Sequence, residues 1–377
     1  MRRLLLCLLL TSAAAGAAPL DAVWTDDSLE SRGVGVLSVS DGRLRFVDAD
    51  RNVGDASLRG VVRLSFEAEE PGDEPAGLLR LTDGQRLAGS VADTPAASPE
   101  HLRWRHPWLG ERDVPLERVA SLGVSAPPAG AAAPVADEVR LANGDTLTGF
   151  VSAVGPRGAG VTLEPEAGGE PATLPWSAVA AVRLANPAAA PPAGDLLRLR
   201  DGSRVAVDGL RYDGSAWSVE GAGEAPAGSV EGFEPGASGL RLLTLDALAV
   251  EEPEPAEVFG VPFPAHRDGG ALRLHAPTAV EASAPGVAEA RLARLRLALE
   301  PEAAASPLAS VDASLGGGEP VRLDAANPVA ELRAEGASLP LRLVLGEAEH
   351  GPVLDRVVVE RLEVLVEVAA DRRDPAP

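Results

Sequence analysis

The sequence predicts an all-β protein in which tandem small antiparallel β-barrel or β-sheet repeats precede a β-sandwich jelly roll. Three observations predict this class. Short segments alternate apolar and polar residues, as strands with one buried face do. A turn-centred motif recurs in the first two-thirds of the 377 residues. The 40 glycines and 33 prolines interrupt these segments at short intervals. With 45% apolar residues and roughly 150 residues per domain, we expect two or three domains with real cores.

Residues 1–17 have the pattern of a secretory signal peptide. Arg2 and Arg3 form a basic start, an apolar run follows from Leu4 to Leu10, and a small-residue cleavage site ends at Ala17. The alternative is a membrane anchor, but this run is shorter than the about 20 apolar residues that cross a bilayer. We therefore expect an exported protein, in the periplasm, the cell envelope or the medium, without a membrane span after cleavage.

Composition limits the partners and the chemistry. The chain has 34 basic and 56 acidic residues, a net charge of −22, and it contains no lysine. This charge repels nucleic acid and anionic membrane surfaces, so we expect neither as a partner. The one cysteine, Cys7, lies in the signal-like segment. The mature chain therefore has no thiol for a disulfide, a nucleophile or a metal ligand.

A turn flanked by alternating apolar residues recurs at Asp83-Gly84, Asn143-Gly144 and Asp201-Gly202. Such pairs readily adopt positive φ and are a strong hairpin signal. In the first two copies a closing motif follows the turn at the same interval, at Pro115 and at Pro175. The agreement at both ends predicts a structural repeat.

A shorter copy opens the mature chain, with its turn at Asp41-Gly42 and its closing motif at Leu58. A unit of roughly 40–60 residues fits a small antiparallel sheet or an SH3- or Sm-like barrel, and it is marginal alone, so we expect neighbours to pack together. Propeller blades are the alternative, although spacers rich in alanine and proline separate the copies. The predicted units are residues 1–17 (signal peptide), 18–68, 77–125, 137–185 and 195–236 (repeats 1 to 4), 240–368 (sandwich) and 369–377 (tail).

The C-terminal third has a different sequence pattern from the repeats. Alternating segments such as Ala293–Leu299, Leu339–Leu345 and Val357–Val366 are separated by turn residues. This spacing predicts a β-sandwich of about eight strands.

Within this third, three segments resemble the NPCBM family of carbohydrate-binding modules, which is associated with glycoside hydrolase family 98. They are F-G-V-P-F-P-A-H-R-D (residues 259–268), S-L-P-L-R-L-V-L-G-E (338–347) and G-P-V-L-D-R-V-V-V-E-R-L (351–362). The resemblance covers about residues 242–367. It implies a galactose-binding-like jelly roll that recognises carbohydrate, and it places Asp355 where the family has an aspartate just before its final strand.

Arg267, Asp268 and Asp355 are therefore the predicted ligand-binding residues of this domain. They would form a polar site that bonds sugar hydroxyls or is assisted by calcium, and no other cofactor or metal site is predicted. The alternative for all three is turn and strand-end chemistry on a solvated surface. No aromatic residue follows Phe263, so the later strands and loops offer no ring on which a sugar could stack.

The tryptophans lie in the repeats, two of them in the most aromatic and basic stretch of the chain, residues 101–108. Trp104 aligns with Leu163 of the next repeat, which predicts a core position. Trp108 falls in the following turn and is the predicted exposed contact. Trp176 occupies a closing motif and is predicted to be core.

No catalytic residue is predicted. The five histidines form neither H-x-x-H nor H-E-x-x-H, no G-x-S-x-G elbow is present, and no spacing singles out a carboxylate pair. We therefore expect an exported binding protein that is not an enzyme, with a polysaccharide as its ligand. The alternative is a structural or protein-interaction protein of the envelope whose jelly roll has lost sugar binding. A glycoside hydrolase is the third hypothesis.

Overall fold

The computed structural model describes residues 19–66, 77–123, 134–166, 168–220, 223–268, 271–284, 286–287, 289–336, 338–346 and 356–368. The predicted signal peptide and tail lie outside these ranges. The described residues form antiparallel β-sheets joined by short 3₁₀ turns and one short α-helix, α1 (Pro301–Ala304). The predicted all-β class is confirmed.

Repeat 1 is a five-stranded meander whose last strand returns to its first. Its strands are β1 (Leu20–Thr25), β2 (Ser31–Ser40), β3 (Arg43–Val47), β4 (Val53–Ser57) and β5 (Arg63–Phe66). They lie in the order β5-β1-β2-β3-β4. The 3₁₀ turn Leu58–Gly60 separates β4 from β5. Among the described pairings these two strands do not meet, so the small barrel stays open.

Repeats 2, 3 and 4 have the same order, and in repeats 2 and 4 the second strand is bent into two pieces. Repeat 2 contains β6 (Leu78–Leu81), β7 (Arg86–Ala88), β8 (Ser90–Val91), β9 (His101–His106), β10 (Gly110–Pro115) and β11 (Val119–Gly123). Repeat 3 contains β12 (Asp137–Leu141), β13 (Thr146–Val154), β14 (Val161–Pro165), β15 (Ala172–Leu174) and β16 (Val179–Arg183). Repeat 4 contains β17 (Asp195–Leu199), β18 (Arg204–Val207), β19 (Arg211–Tyr212), β20 (Ala216–Val219), β21 (Gly223–Pro226) and β22 (Val230–Glu234).

The closing motif forms the same local structure each time. Pro115 and Pro175 immediately precede the 3₁₀ turns Leu116–Arg118 and Trp176–Ala178, with φ of −58° and −66°. Proline fixes φ in this range, so it sets the entry to the turn that carries the chain from the fourth strand to the fifth. The repeated proline is therefore explained by one backbone geometry.

The turn assigned to repeat 1 is a correction. Asp41-Gly42 joins the second strand to the third, whereas Asp83-Gly84 joins the first to the second. The first turn of repeat 1 lies at residues 26–30, where the Asp26 carboxylate accepts from the N–H groups of Ser28 and Glu30. An aspartate side chain there replaces the glycine-containing turn, so the motif search matched the wrong hairpin.

The repeats lie in the spatial order 1-4-2-3 and share one apolar core. Fifth strands join repeats 1 and 4 (β5 with β22) and repeats 2 and 3 (β11 with β16). Between these pairs, β7 of repeat 2 meets β18 of repeat 4. Units that are marginal alone thus complete one another by shared sheets.

The C-terminal domain is a sandwich of a six-stranded and a five-stranded sheet. The first sheet contains β23 (Leu240–Thr244), β27 (His266–Asp268), β28 (Ala271–Leu274), β30 (Ala290–Leu299), β33 (Val329–Glu335) and β35 (Val357–Glu367). The second contains β24 (Ala249–Glu254), β29 (Thr278–Ser283), β31 (Ser310–Leu315), β32 (Val321–Asp324) and β34 (Leu341–Leu345). The predicted sandwich is confirmed, with more strands than the eight expected.

A separate hairpin extends from the sandwich between β24 and β27. It consists of β25 (Ala256–Val258) and β26 (Val261–Phe263), which pair only with each other among the described residues. The ring of Phe263 packs edge-on against His275, 5.7 Å between centroids. The Glu252 carboxylate accepts a hydrogen bond from the Ala265 N–H. These contacts hold the base of the hairpin.

Between the two sheets lies a small apolar cavity of about 20 Å³. It is lined by aliphatic side chains, among them Leu272, Val280, Leu343 and Leu362. Such a space holds about one water, and without polar partners it stays dry. A cavity of this size is too small to hold a sugar ring.

Candidate functional site

The predicted polar site is not assembled around free side chains in the described structure. Arg267 donates to the Leu245 C=O (3.1 Å) and the Leu248 C=O (2.9 Å), at the two ends of the 3₁₀ turn after β23. Burial lowers the pKa of Arg267, against the attraction of Asp246. Asp268 ends β27 opposite Ala271, and its side chain is outside the described part.

Asp355 also lies outside the described residues. The ligand-binding roles of Asp268 and Asp355 therefore stay predictions. Arg267 fastens β27 to the turn at Leu245, because its guanidinium donates to two backbone carbonyls, and its ligand-binding role also stays a prediction.

The tryptophans of repeats 2 and 3 divide between core and rim. Trp104 is buried and donates to the Ala88 C=O (3.3 Å), as predicted for a core residue. Trp108 is half-buried against the repeat core. Only part of its ring is exposed to solvent, whereas a fully exposed contact was predicted. Trp176, predicted as core, is also half-buried and donates to the Gly155 C=O (3.3 Å). Trp108 lies in repeat 2 and Arg267 in the sandwich.

The most exposed aromatic side chain described lies at the tip of the sandwich hairpin. Phe259 is 102% exposed and has φ of 53°, and Gly260 beside it has φ of 78°. Two positive φ angles in a two-residue loop define a tight hairpin turn that ordinarily takes Asn-Gly. A bulky residue with positive φ is an outlier in protein backbones. The sequence did not lead us to predict Phe259 as a binding residue. The signal that could have identified it is a large residue followed by glycine between two short strands.

A serine, a histidine and an aspartate meet at the junction of repeats 2 and 4. His106 Nε2 lies 3.0 Å from Ser203 Oγ and 3.3 Å from Asp201 Oδ2. His106 Nδ1 accepts from the backbone N–H groups of Trp108 and Leu109, 3.0 Å each. Because Nδ1 is an acceptor twice, we assign the proton of the neutral ring to Nε2.

This polarity is opposite to that of a nucleophile and its base. A histidine that activates serine accepts the serine proton, whereas His106 Nε2–H donates toward Ser203 and Asp201. Ser203 Oγ also accepts from the Ala88 N–H (2.9 Å). His106 and Ser203 are both buried. The three side chains therefore join two repeats and are not a hydrolytic triad.

A buried ionic cluster joins repeats 1 and 4 to the sandwich. Glu234 is 0% exposed and accepts from Arg63 (2.9 Å) and Arg204 (3.2 Å). Arg63 also donates to the Leu242 C=O (3.2 Å) of β23. Burial by itself raises the pKa of Glu234, but Arg204 and Arg63 outweigh it and lower that pKa from 4.5 to about 2. Glu234 therefore stays ionised wherever the protein is folded at ordinary pH.

A second ion pair joins repeat 2 to the sandwich. Arg86 of β7 bonds the Asp246 carboxylate, which also accepts from Thr244 Oγ1. Burial opposes ionisation of Asp246, and Arg86 outweighs it, so the pKa of this carboxyl lies far below its usual value. Neither pair carries a sequence signal, because the partners are distant along the chain.

The described residues contain neither a metal-binding cluster nor a membrane-crossing helix. No group of three His, Cys, Asp or Glu side chains among them is placed to hold a metal ion. Within the same residues, no helix has the length and apolar character required to cross a membrane.

Comparison with known proteins finds few similarities. No family model matches this chain, so the resemblance to the NPCBM family stays a prediction. No curated protein matches it either. Among solved structures, two crystal structures of the exo-β-1,3-galactanase from Phanerochaete chrysosporium match, one with β-1,3-galactotriose and one with galactose. They are 10% and 11% identical and cover 92% of this chain and 68% and 69% of theirs, each at a TM-score of 0.17.

The prediction that the chain is not an enzyme is contradicted by these matches, because both are structures of an enzyme. At this TM-score the likeness assigns neither a reaction nor a substrate to the present chain. The sheets of the structure itself show an all-β protein with a C-terminal β-sandwich.

Proposed function

We propose that this chain is an exported binding protein that recognises carbohydrate through its C-terminal sandwich. The observation that carries the proposal is Phe259, held fully exposed at the hairpin tip. The signal-like residues 1–17 support export, and the resemblance of residues 242–367 to the NPCBM family supports the ligand class. Arg267 is not required for this site, because its guanidinium donates to two backbone carbonyls.

The position of Phe259 has no explanation in the stability of the fold. A fully exposed ring gains nothing from burial, and its positive φ costs about 1–2 kcal/mol for an L residue. Strain of this kind concentrates at functional sites. An aromatic ring free on its face is suited to the apolar face of a pyranose, and Val261, which is 53% exposed, adds apolar area beside it.

The hairpin is built to hold this ring away from the sandwich. Its strands pair from Ala256 with Phe263 to Val258 with Val261, and the loop contains only Phe259 and Gly260. Phe263 packs on buried His275 at the base. A fixed base and a tight turn limit the freedom that a ligand must remove, which favours binding.

The test is retention of the full mature chain on insoluble polysaccharides and binding to soluble glycans, with calcium and with chelator. We expect Phe259→Ala to weaken binding about tenfold, since a stacked ring contributes about 1.4 kcal/mol. Phe150→Ala is the matched control, because Phe150 is 62% exposed but lies on repeat 3. Asp355→Ala tests the residue that the family resemblance identifies.

Two results would overturn the proposal. One is the absence of retention on every glycan in both calcium conditions. The other is binding that Phe259→Ala and Asp355→Ala leave unchanged while the variants keep the unfolding transition of the parent chain.

The second candidate function is that of an envelope scaffold that acts through protein contacts. It is favoured by the bonding of Arg267 to two backbone carbonyls, since a side chain that fastens a strand is not free for a ligand. A chain that binds no glycan but assembles in solution would favour this function.

A further inference from the structure

Two kinds of interface alternate along the row of repeats, and repeats 1 and 4 are joined in addition by Tyr212 of β19 opposite Val39 of β2. Fifth strands meet at equivalent positions, Leu64 opposite Phe233 and Leu122 opposite Val182. The other interface forms between turn edges. We define the turn edge of a repeat as the outward-facing edge of the first three residues of its second strand. Turn edges are Arg86–Ala88 in repeat 2, Arg204–Ala206 in repeat 4 and Thr146–Thr148 in repeat 3. In the order 1-4-2-3 the interfaces are fifth strand, turn edge and fifth strand, so the turn edge of repeat 3 comes next.

At the opposite end of the row, the sandwich contacts the first turn of repeat 1, whereas the turn edge of that repeat, Ser31–Gly33, is exposed. Arg294 donates to the Leu29 C=O (2.7 Å) in the first turn of repeat 1. Arg333 pairs with Glu30 (3.0 Å), and Arg291 pairs with Asp27 (3.2 Å). The sandwich therefore flanks this end of the row without pairing, among the described residues, with the turn edge of repeat 1.

The turn edge of repeat 3 is open among the described pairings. Strand β13 pairs with β12 and with β14, and the β14 pairing begins only at Gly149. Leu147 is 37% exposed, whereas its equivalents Leu87 and Val205 are 3% and 4% exposed. An apolar position that is buried in two repeats and exposed in the third indicates a missing neighbour.

The backbone of this edge is prepared for a further strand. Leu141 N–H donates to the Asp145 C=O (2.8 Å) across the first turn. Bonded and non-bonded pairs alternate along antiparallel strands, so Thr146 and Thr148 direct their N–H and C=O groups away from β12. The Thr148 C=O already accepts from the Glu166 N–H (3.5 Å). The remaining groups, the N–H and C=O of Thr146 and the N–H of Thr148, are a template for strand addition.

The interface between repeats 2 and 4 shows how the edge is completed. Arg86 lies opposite Arg204. The Ala88 N–H donates to Ser203 Oγ (2.9 Å), and the Ala206 N–H donates to Gln85 Oε1 (2.7 Å). The contact is therefore reciprocal, since the residue after the turn glycine supplies an acceptor to the other repeat.

Repeat 3 has an acceptor and a donor at the equivalent positions. Its residue after the turn glycine is Asp145, whose carboxylate is an acceptor, and the equivalent donor is the Thr148 N–H. Asp145 Oδ2 accepts from Asn143 Nδ2 (2.7 Å). The Thr148 N–H of a second chain would bond the same carboxylate.

The residue at the centre of the edge suits pairing with itself. Arg86 and Arg204 are like charges face to face, and Asp246 and Glu234 compensate them. In repeat 3 the central residue is Thr146, which has no charge to compensate. Threonine opposite threonine is a favourable cross-strand pair.

We propose that the turn edge of repeat 3 pairs with the same edge of a second copy of this chain. The two-fold axis passes at Thr146, so the interface is isologous and closes as a dimer. The two rows of repeats then form one continuous row, and each sandwich contacts repeats 1 and 2 of its own chain. This interface involves no residue of the proposed carbohydrate site, so the two proposals can fail separately.

Sedimentation equilibrium of the full chain at physiological ionic strength tests the dimer. Under these conditions a Debye length of about 8 Å screens the repulsion between two acidic copies. We expect a dimer, and we expect Thr146→Arg to raise its dissociation constant by about tenfold or more, because two arginines meet without an acidic partner. Thr146→Pro should act similarly without unfolding, since it removes an N–H that points outward. Thr173→Arg, on exposed β15 of the same repeat, is the control.

A cross-link tests the register. Residues in a bonded antiparallel pair have Cα atoms about 5.5 Å apart, a distance that a disulfide bridges. In a chain with Cys7→Ser, oxidised Thr146→Cys should therefore give covalent dimers and Thr173→Cys should not. A parent chain that sediments only as a monomer would overturn the proposal. So would a dimer that Thr146→Arg leaves unchanged and that Thr146→Cys cross-links no better than Thr173→Cys.

Discussion

Glu234→Gln is expected to destabilise the protein by about 3–5 kcal/mol, the usual result of breaking a buried ion pair from one side. The amide keeps the shape of the carboxylate but loses its charge. Arg63 and Arg204, with side chains 10% and 11% exposed, are then left without a counter-charge. Because Arg63 also bonds the Leu242 C=O, the loss weakens the contact between the repeats and the sandwich.

Denaturant unfolding of the purified variant, followed by tryptophan fluorescence, measures this effect. The matched control is Glu231→Gln on the same strand, whose carboxylate pairs with Arg198 at 3.1 Å but is 45% exposed. A solvated pair contributes about 1 kcal/mol or less. Equal losses for the two variants would show that the buried cluster has no special role.

The same carboxylate predicts a loss of stability in acid. The pKa of Glu234 is about 2 in the folded chain and 4.5 as its ordinary value. A lowered folded pKa contributes stability above pH 4.5, and that contribution is lost as the pH falls from about 4.5 to about 2. The difference corresponds to roughly 3 kcal/mol. Stability measured against pH should therefore fall less steeply in Glu234→Gln, and parallel curves for the two proteins would contradict this.

Gly89→Ala should destabilise by about 3–5 kcal/mol, combining backbone strain with overpacking. Gly89 separates β7 from β8 and has φ of 141°, which residues with a Cβ rarely adopt. An added Cβ would lie 2.1 Å from the Arg105 C=O oxygen, on a backbone that cannot move without breaking β9. Gly149 is the equivalent in repeat 3, with 2.2 Å to the Glu164 oxygen.

Thermal and denaturant unfolding of Gly89→Ala measure this loss. Gly158→Ala is the control, because its Cβ meets nothing within 4 Å, so the change is expected to be neutral or to stabilise by up to about 1 kcal/mol. A Gly89→Ala variant as stable as the parent chain would show that the bend between β7 and β8 does not need glycine.

The local structure of the repeats followed from short sequence patterns. Positive φ at Gly84, Gly144 and Gly202 and the 3₁₀ turn after Pro115 depend on a few neighbouring residues, so the pattern was visible in the chain. The burial of Trp104 followed from its alignment with Leu163. The assignment of Asp41-Gly42 to the first turn of repeat 1 was wrong. An Asp-Gly pair favours a tight turn in any hairpin, so it does not indicate which two strands the turn connects.

The residues of the candidate site were harder to predict from the sequence than the strands and turns. Arg267 was predicted as a polar ligand-binding residue, whereas the structure shows its guanidinium donating to the backbone carbonyls of Leu245 and Leu248. Phe259 was present in the quoted motif, but its exposure depends on a hairpin that projects from both sheets.

Alternation and turn chemistry act over a few residues, and they were enough to establish an all-β chain with repeats and a terminal sandwich. The order 1-4-2-3, the His106–Ser203 contact and the Glu234 cluster join residues that are far apart along the chain. Their energies arise from desolvation and from backbone groups that meet only after the sheets have formed. For that reason no local sequence pattern predicts the repeat order or these two contacts.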